Sequence, residues 1–422
     1  MNLRIRLIIM NFLQFAVWGA YLTSMGSYLA SAGQGAHIGA FYAMQGITSI
    51  FMPALIGIVA DRWIPAQKMM GICHLISSTF MLALAYYAFQ TGTHANFGIL
   101  IGLFTVGIGF YMPSLSLSYA VAYNALEKEG MDTITAFPPI RIFGTIGFIC
   151  TMLLVDALGY QTTYMQFVVS GVLGILLGFY SMTLPACPIN TSSEKKTLVD
   201  ALGLRAFSLF KDRTMATFFI FSMLLGVALQ LSNSYANPFI TSFQDNPEFA
   251  NTFGANHANA LISLSQCSET LCILLIPYFL KRLGIKKVML MAMMAWVFRF
   301  GLFGAGNPGG GVWMFILSMI VYGVAFDFFN VSGSLFVNKA TDTSMRSSAQ
   351  GLFMLMTNGI GATLGTLGAQ NIVNYYTENV DGKMIGDWSS AWYIFAAYSL
   401  VIAILFAIFF KYDFKPEGKK TE

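Results

Sequence analysis

The chain has 422 residues, of which 56% are hydrophobic and only 10% charged, whereas soluble domains carry about a quarter charged residues. With a mean hydropathy of +0.65 and 38 Phe and 25 Met, a water-soluble fold of this size is excluded and a polytopic membrane protein is predicted. The slight net charge of +4 gives no sign of nucleic-acid binding. Five scattered cysteines without a CxxC pair support neither a disulfide framework nor a metal site.

A hydrocarbon core of ~30 Å needs roughly 20 apolar residues per helix. Twelve such runs follow along the chain, at 5–31, 37–60, 69–90, 97–121, 139–160, 163–185, 214–242, 257–280, 287–305, 311–338, 348–374 and 389–410. The first is too long for the apolar region of a cleaved signal peptide and is closely followed by another span. The loop 186–213 opens ACPINTSSEKK and separates six runs from six. Its second half, TLVDALGLRAFSLFKD, has apolar residues at helical spacing, as for a helix lying along the inner membrane surface. The expected layout is therefore an all-α integral membrane protein of 12 transmembrane helices. It has one six-helix bundle over 1–185, a linker over 186–213, a second bundle over 214–411 and a tail over 412–422. Connections elsewhere are short, so whatever chemistry occurs happens within the membrane.

Lysine and arginine set the orientation. With the N-terminus inside, 20 of the 23 basic residues fall on the inner side, only Lys383 falls outside, and Arg141 and Arg299 lie within or at the edge of spans. Both termini are thus expected to be cytoplasmic.

Placing an Asp, Lys or Arg at the centre of a span costs roughly 2.5–3.5 kcal/mol on insertion scales, so the few such residues are informative. Asp156 is expected to reach water at the outer end of its span. Arg299 reads as a structural pairing or snorkelling residue. In LISLSQCSETL, Gln266 and Glu269 share a helix face, and Gln230 and Asn233 repeat that spacing one span earlier. Such stripes line a polar cavity, or else hydrogen-bond between helices merely to hold them together. Arg141, Thr145 and Phe148 form a third stripe at i, i+4 and i+7, with Pro138 and Pro139 expected at the helix start. Arg141 could alternatively anchor to phosphate headgroups. A fourth stripe carries Tyr322, Phe326 and Asn330, with Asp327 about 100° around the helix from Phe326. Asp327 suits a proton-binding carboxylate or a structural partner for a neighbouring helix. Aromatic faces, amides and an acid together fit a neutral nucleobase-like or sugar-like solute. GATLG at 361–365 permits close helix packing without establishing a dimer, and the chain reads as a monomer.

Two tight basic loops, GIVADRWIPAQK at 57–68 and FLKRLGIKK at 279–287, occupy matching places in the halves. The first resembles the signature loop of the major facilitator superfamily, with Gly57, Asp61, Arg62 and Lys68 in its conserved places. That resemblance implies the superfamily fold, two bundles rocking about a midplane site. FPPIRIFGTIGF, FFIFSMLLGVALQLSN, SLSQCSETL and SMIVYGVAFDFFNVSGS are more specific. They closely resemble the bacterial nucleoside:proton symporter family, and FMPALIGIVAD, GIKKVM and SAQGLFMLMTNG extend the match. The resemblance implies proton-driven import of purine and pyrimidine nucleosides across the bacterial inner membrane, with no cofactor. It places substrate contacts on Arg141, Thr145, Phe148, Gln230, Asn233, Gln266, Glu269, Tyr322 and Phe326, with Glu269 and Asp327 as candidates for the proton. Other superfamily transporters, a sugar importer or a nucleoside or drug exporter, are the alternative. The span at Arg141 lacks the Gly-Pro-rich signature of drug antiporters. No HExxH or GxSxG motif supports an intramembrane enzyme, and His74 alone in a span reads as a packing or hydrogen-bonding residue.

Overall fold

The computed structural model describes residues 2–188, 204–341 and 346–412. Much of the expected interfacial helix, together with Lys195, Lys196, Lys415, Lys419 and Lys420 of the predicted inner charge, lies outside the described residues. The first half contains α1 (Leu3–Gly19), α2 (Met25–Ser31), α3 (Ile38–Arg62), α4 (Ala66–Thr91), α5 (Phe97–Lys128), α6 (Thr133–Ala157) and α7 (Met165–Met182). The second contains α8 (Arg213–Ser242), α9 (Ala258–Ala305), α10 (Val312–Ala340) and α11 (Arg346–Met354). A π-helical segment (Leu355–Gly361) then leads into α12 (Ala362–Tyr376), and α13 (Trp388–Phe409) closes the chain. The part of the linker that is described, Leu204–Lys211, is a 3₁₀ helix.

Ten helices among the described residues are long and apolar enough to cross a membrane, against twelve expected runs. Two local features account for the difference. The first run is broken: α1 stops at Gly19 and the chain turns before α2 resumes at Met25. The expected spans 257–280 and 287–305 run together as α9, whose 48 residues break at Gly284 with φ 76° and ψ 168°. That left-handed backbone favours glycine, and it lets a very short basic loop reverse the chain. Pro138 and Pro139 lie inside α6, not at its start, because the helix begins at Thr133. Each removes one intrahelical hydrogen bond in the first turns.

Large apolar side chains such as Leu271, Leu274, Phe179 and Phe298 remain exposed on the helix exteriors. That is the pattern expected where hydrocarbon is the solvent and every backbone group is bonded within its own helix. Between helices, small residues set the spacing. A Cβ on Gly147 would overlap the carbonyl of Phe12, joining α6 to α1, and one on Gly226 would overlap the carbonyl of Thr357, joining α8 to the π segment. Gly361 and Gly365 of GATLG likewise pack against α8 of the same chain.

The all-α expectation requires one correction. Strands β1 (Thr377–Val380) and β2 (Lys383–Gly386) pair antiparallel, Thr377 opposite Gly386, around Asp381 and Gly382 at φ 47° and 81°. An Asp-Gly pair with both residues at positive φ is the favoured two-residue hairpin turn. The hairpin reaches the first half through Asn379 Nδ2, which donates to Ala30 O at 3.0 Å, and is tied to its own half by Lys383, which pairs with Asp245 at 2.6 Å. Beneath it a polar seal joins the halves. Thr23 donates to Asn259 Oδ1 at 3.0 Å, Ser27 donates to Asn237 Oδ1, and Gln161 Oε1 accepts from Asn237 Nδ2 at 2.9 Å. His257 Nδ1 meets Asp156 Oδ2 at 2.7 Å.

Candidate functional site

On the other side of that seal lies a cavity of about 370 Å³ between the halves, within the roughly 300–1,000 Å³ of small-molecule sites. From the first half it is lined by Trp18 on α1, Gln45 and Ser49 on α3, and Met112 and Leu115 on α5. From the second it is lined by Gln230 and Asn233 on α8, Phe326 on α10 and Asn358 in the π segment. On α3 and α8 the polar members fall four and three residues apart, so the helical repeat presents each pair on one face.

Gln230, Asn233 and Phe326 thus reach the cavity as the stripes predict. Gln230 is buried, and its Oε1 has no hydrogen-bond partner among the described residues. Tyr322 stacks on Phe326 with ring centroids 5.9 Å apart and planes 11° from parallel. The Gln266 side chain lies beside the Tyr322 hydroxyl. Glu269 is half-buried and within electrostatic reach of Arg141, Tyr322 and Asp327. Asp327 is buried, and its Oδ2 has no hydrogen-bond partner among the described residues, so the reading of it as a structural partner finds no bond there. Asn330 instead donates to the Phe326 carbonyl of its own helix at 3.1 Å.

Arg141 donates from Nε to the Tyr119 hydroxyl at 3.1 Å, and its guanidinium lies 3.9 Å over the Phe15 ring. These contacts hold it within the protein and leave the headgroup alternative without support. Thr145 is half-buried. Phe148 is buried and meets Trp18 edge-on at 6.3 Å, so it stands behind the cavity wall. In the loop motif, Gly57 faces open space and Lys68 is exposed. The side chains of Asp61 and Arg62 lie outside the described residues.

Two further intramembrane charges resolve differently. Asp156 does not reach water as expected: it is 6% exposed, accepts from Gln161 Nε2, and pairs with His257 of the second half. Arg299 takes the structural role. It is 1% exposed and donates to Ser232 Oγ at 2.6 Å and to Ser318 O at 2.8 Å. Its guanidinium also lies 4.6 Å over the Tyr322 ring. His74 bonds Gln14 Oε1 at 2.7 Å in the first-half core.

The family model for nucleoside H+ symporters matches residues 1–415. The chain belongs to the nucleoside H+ symporter family. It is 47% identical over 427 residues to the nucleoside permease NupG of Escherichia coli (strain K12), covering 100% of this chain and 99% of that protein. It is 44% identical over 423 residues to the xanthosine permease of the same organism, again covering 100% and 99%. The crystal structure of NupG superposes with a TM-score of 0.88 at 45% identity over 98% of this chain and 100% of the other. At 13% identity, the xylose transporter XylE of E. coli shares the fold alone, with a TM-score of 0.60 over 97% of this chain and 100% of that chain.

Sequence reasoning missed four polar groups that line this symporter's cavity, Trp18, Gln45, Ser49 and Asn358. Gln45 carried a signal, being the lone amide in the apolar run FYAMQGITSIF. The other signal, the π-helical register at Leu355–Gly361, exists only in three dimensions, and such bulges are frequent at functional sites.

Proposed function

We propose that this nucleoside H+ symporter family member imports purine and pyrimidine nucleosides with protons across the bacterial inner membrane, by alternating access about the cavity between its halves. The observation that carries the reading is the joining of three elements. A stacked aromatic pair, Tyr322 and Phe326, adjoins unpartnered amides at the cavity wall and two mutually interacting carboxylates, Glu269 and Asp327. A base stacks on aromatic faces and hydrogen-bonds through its edges. Gln230, Asn233, Gln266 and Glu269 supply those bonds, while Arg141 and Thr145 complete the first-half side, backed by Phe148 behind Trp18. Glu269 or Asp327 takes up the proton, which makes the carboxylate cheaper to carry through an apolar barrier. One proton moving down 100 mV supplies ~2.3 kcal/mol, enough for accumulation on the order of 50-fold.

The chain crosses the membrane twelve times as a monomer, in six-helix bundles over 1–185 and 214–411 with both termini cytoplasmic. The break at Gly284 and the one-sided basic loops support this layout. Gly57, Asp61, Arg62 and Lys68 form the loop that moves with the bundles. Counterflow of labelled uridine in proteoliposomes, with and without a pH gradient, tests the reading. Uptake indifferent to the gradient refutes the coupling, and equal competition by sugars and nucleosides refutes the substrate class.

A further inference from the structure

The geometry points to Gln45 as a further substrate contact, one that reads the sugar hydroxyls of the bound nucleoside from the first half of the chain. The assignment rests on the nucleoside reading above. Gln45 sits about two turns into α3, is 5% exposed and lines the cavity, yet its Oε1 has no hydrogen-bond partner among the described residues. Its neighbours do not satisfy it. Ser49 Oγ and Thr48 Oγ1 both donate to the Gln45 backbone carbonyl, at 2.6 and 3.2 Å, and not to the side chain. A buried polar atom left unpaired is costly, and native proteins keep few of them.

Two more such atoms, Trp18 Nε1 and Gln230 Oε1, belong to residues of the same cavity wall. Turned toward the cavity, these side chains offer an amide acceptor and an indole donor from the first half, and an amide acceptor from the second. That set fits a ligand carrying its own donors and acceptors on opposite sides. The stacking pair and the Gln266–Glu269 stripe both belong to the second half, on α10 and α9. A base held there leaves its ribose toward α3. A ribose hydroxyl donates to Gln45 Oε1, and the amide N–H group can donate back to the neighbouring hydroxyl. A site built to bond a hydroxyl rejects the analogue that lacks it far better than an apolar pocket does.

The test measures binding of uridine, 2′-deoxyuridine and 3′-deoxyuridine to the full-length protein in proteoliposomes, for the native chain and for Gln45→Met. The native protein should favour uridine about tenfold over at least one deoxy analogue, and Gln45→Met should erase that preference by weakening uridine while leaving unchanged the analogue that lacks the contacted hydroxyl, the loss of one hydrogen bond. Its unfolding temperature should hold or rise, because an unpaired buried acceptor has been removed, an outcome that a scaffolding role for Gln45 does not give. Should Gln45→Met fail to fold, Gln45→Asn, which keeps the amide but withdraws it by one methylene, should show the same collapse of selectivity. Equal weakening of all three ligands, or unchanged affinities, overturns the assignment. A native protein that binds none of them overturns the nucleoside reading beneath it.

Discussion

Replacing Gln161 by Leu should unlock the seal beneath the hairpin. Both ends of this amide are used. Oε1 accepts from Asn237 Nδ2 at 2.9 Å and from the Asn259 backbone N–H at 3.1 Å. Nε2 donates to Asn256 O at 3.3 Å and to Asp156 Oδ1. The three bonds to Asn237, Asn259 and Asn256 cross between the halves. At about 0.5–1.5 kcal/mol net each, their removal costs the sealed state roughly 2–4 kcal/mol. The partition between sealed and opened states then shifts by about 30- to 1,000-fold. Thr93 and Glu248 are exposed on opposite halves at this end of the molecule. Spin labels there, in a background where the exposed Cys150 and Cys267 are serine, should report one distance in the parent and an added, longer one in Gln161→Leu. A folded Gln161→Leu protein that keeps the single parental distance would show that the seal does not hold the halves together.

Three other perturbations follow from the same geometry. If Glu269 carries the proton, Glu269→Gln should keep nucleoside counterflow and lose gradient-driven uptake, while Asp327→Asn should keep gradient-driven uptake; identical loss of both activities in both variants would reduce the carboxylates to hydrogen-bonding groups. Arg299→Met removes the cation 4.6 Å over the Tyr322 ring. A desolvated contact of this kind is worth about 2 kcal/mol, and the bonds to Ser232 and Ser318 go with it, so the unfolding temperature in detergent should fall. Arg299→Lys should recover little, because an ammonium lacks the planar fork that bonds Ser232 and Ser318 together. Gly226→Leu would drive a side chain into the Thr357 carbonyl, and overpacking of about 1–3 kcal/mol or more should lower the unfolding temperature in detergent.

The stripes were legible because a helix turns an i, i+3 or i+4 spacing into a shared face. Gln230 with Asn233, and Tyr322 with Phe326, needed no further information to be placed together. Asp156 was misread for the converse reason. Its depth along α6 follows from counting residues, but its partner His257 lies 101 positions away, and no local pattern announces that pairing. The hairpin was passed over although NVDGKM holds an Asp-Gly turn, because its strands are only four residues each and sit between two strong apolar runs. Gln45 was overlooked because a single amide has no periodic partner on its own helix. Its significance lies in what faces it across the cavity.

Gln161 and Arg299 on one side, and Gln45 and Gln230 on the other, differ in hydrogen-bond satisfaction inside this membrane protein. Gln161 in the seal has both its oxygen and its nitrogen bonded, and Arg299 in the second-half core has its nitrogens on Ser232 and Ser318. Such residues have spent their bonding capacity on the protein, so their loss should register as altered stability or altered conformational balance. Gln45 and Gln230 are equally buried but keep an unpaired carbonyl at the cavity wall. In hydrocarbon an orphaned polar group is costly, and nothing in helix packing requires an amide at either place, since a methionine would fill the same volume. The cost is repaid only when a solute brings the missing donors. Cavity residues should therefore be recognisable by an inverse signature, in which an apolar substitution of similar shape preserves or raises stability while it abolishes discrimination among substrates.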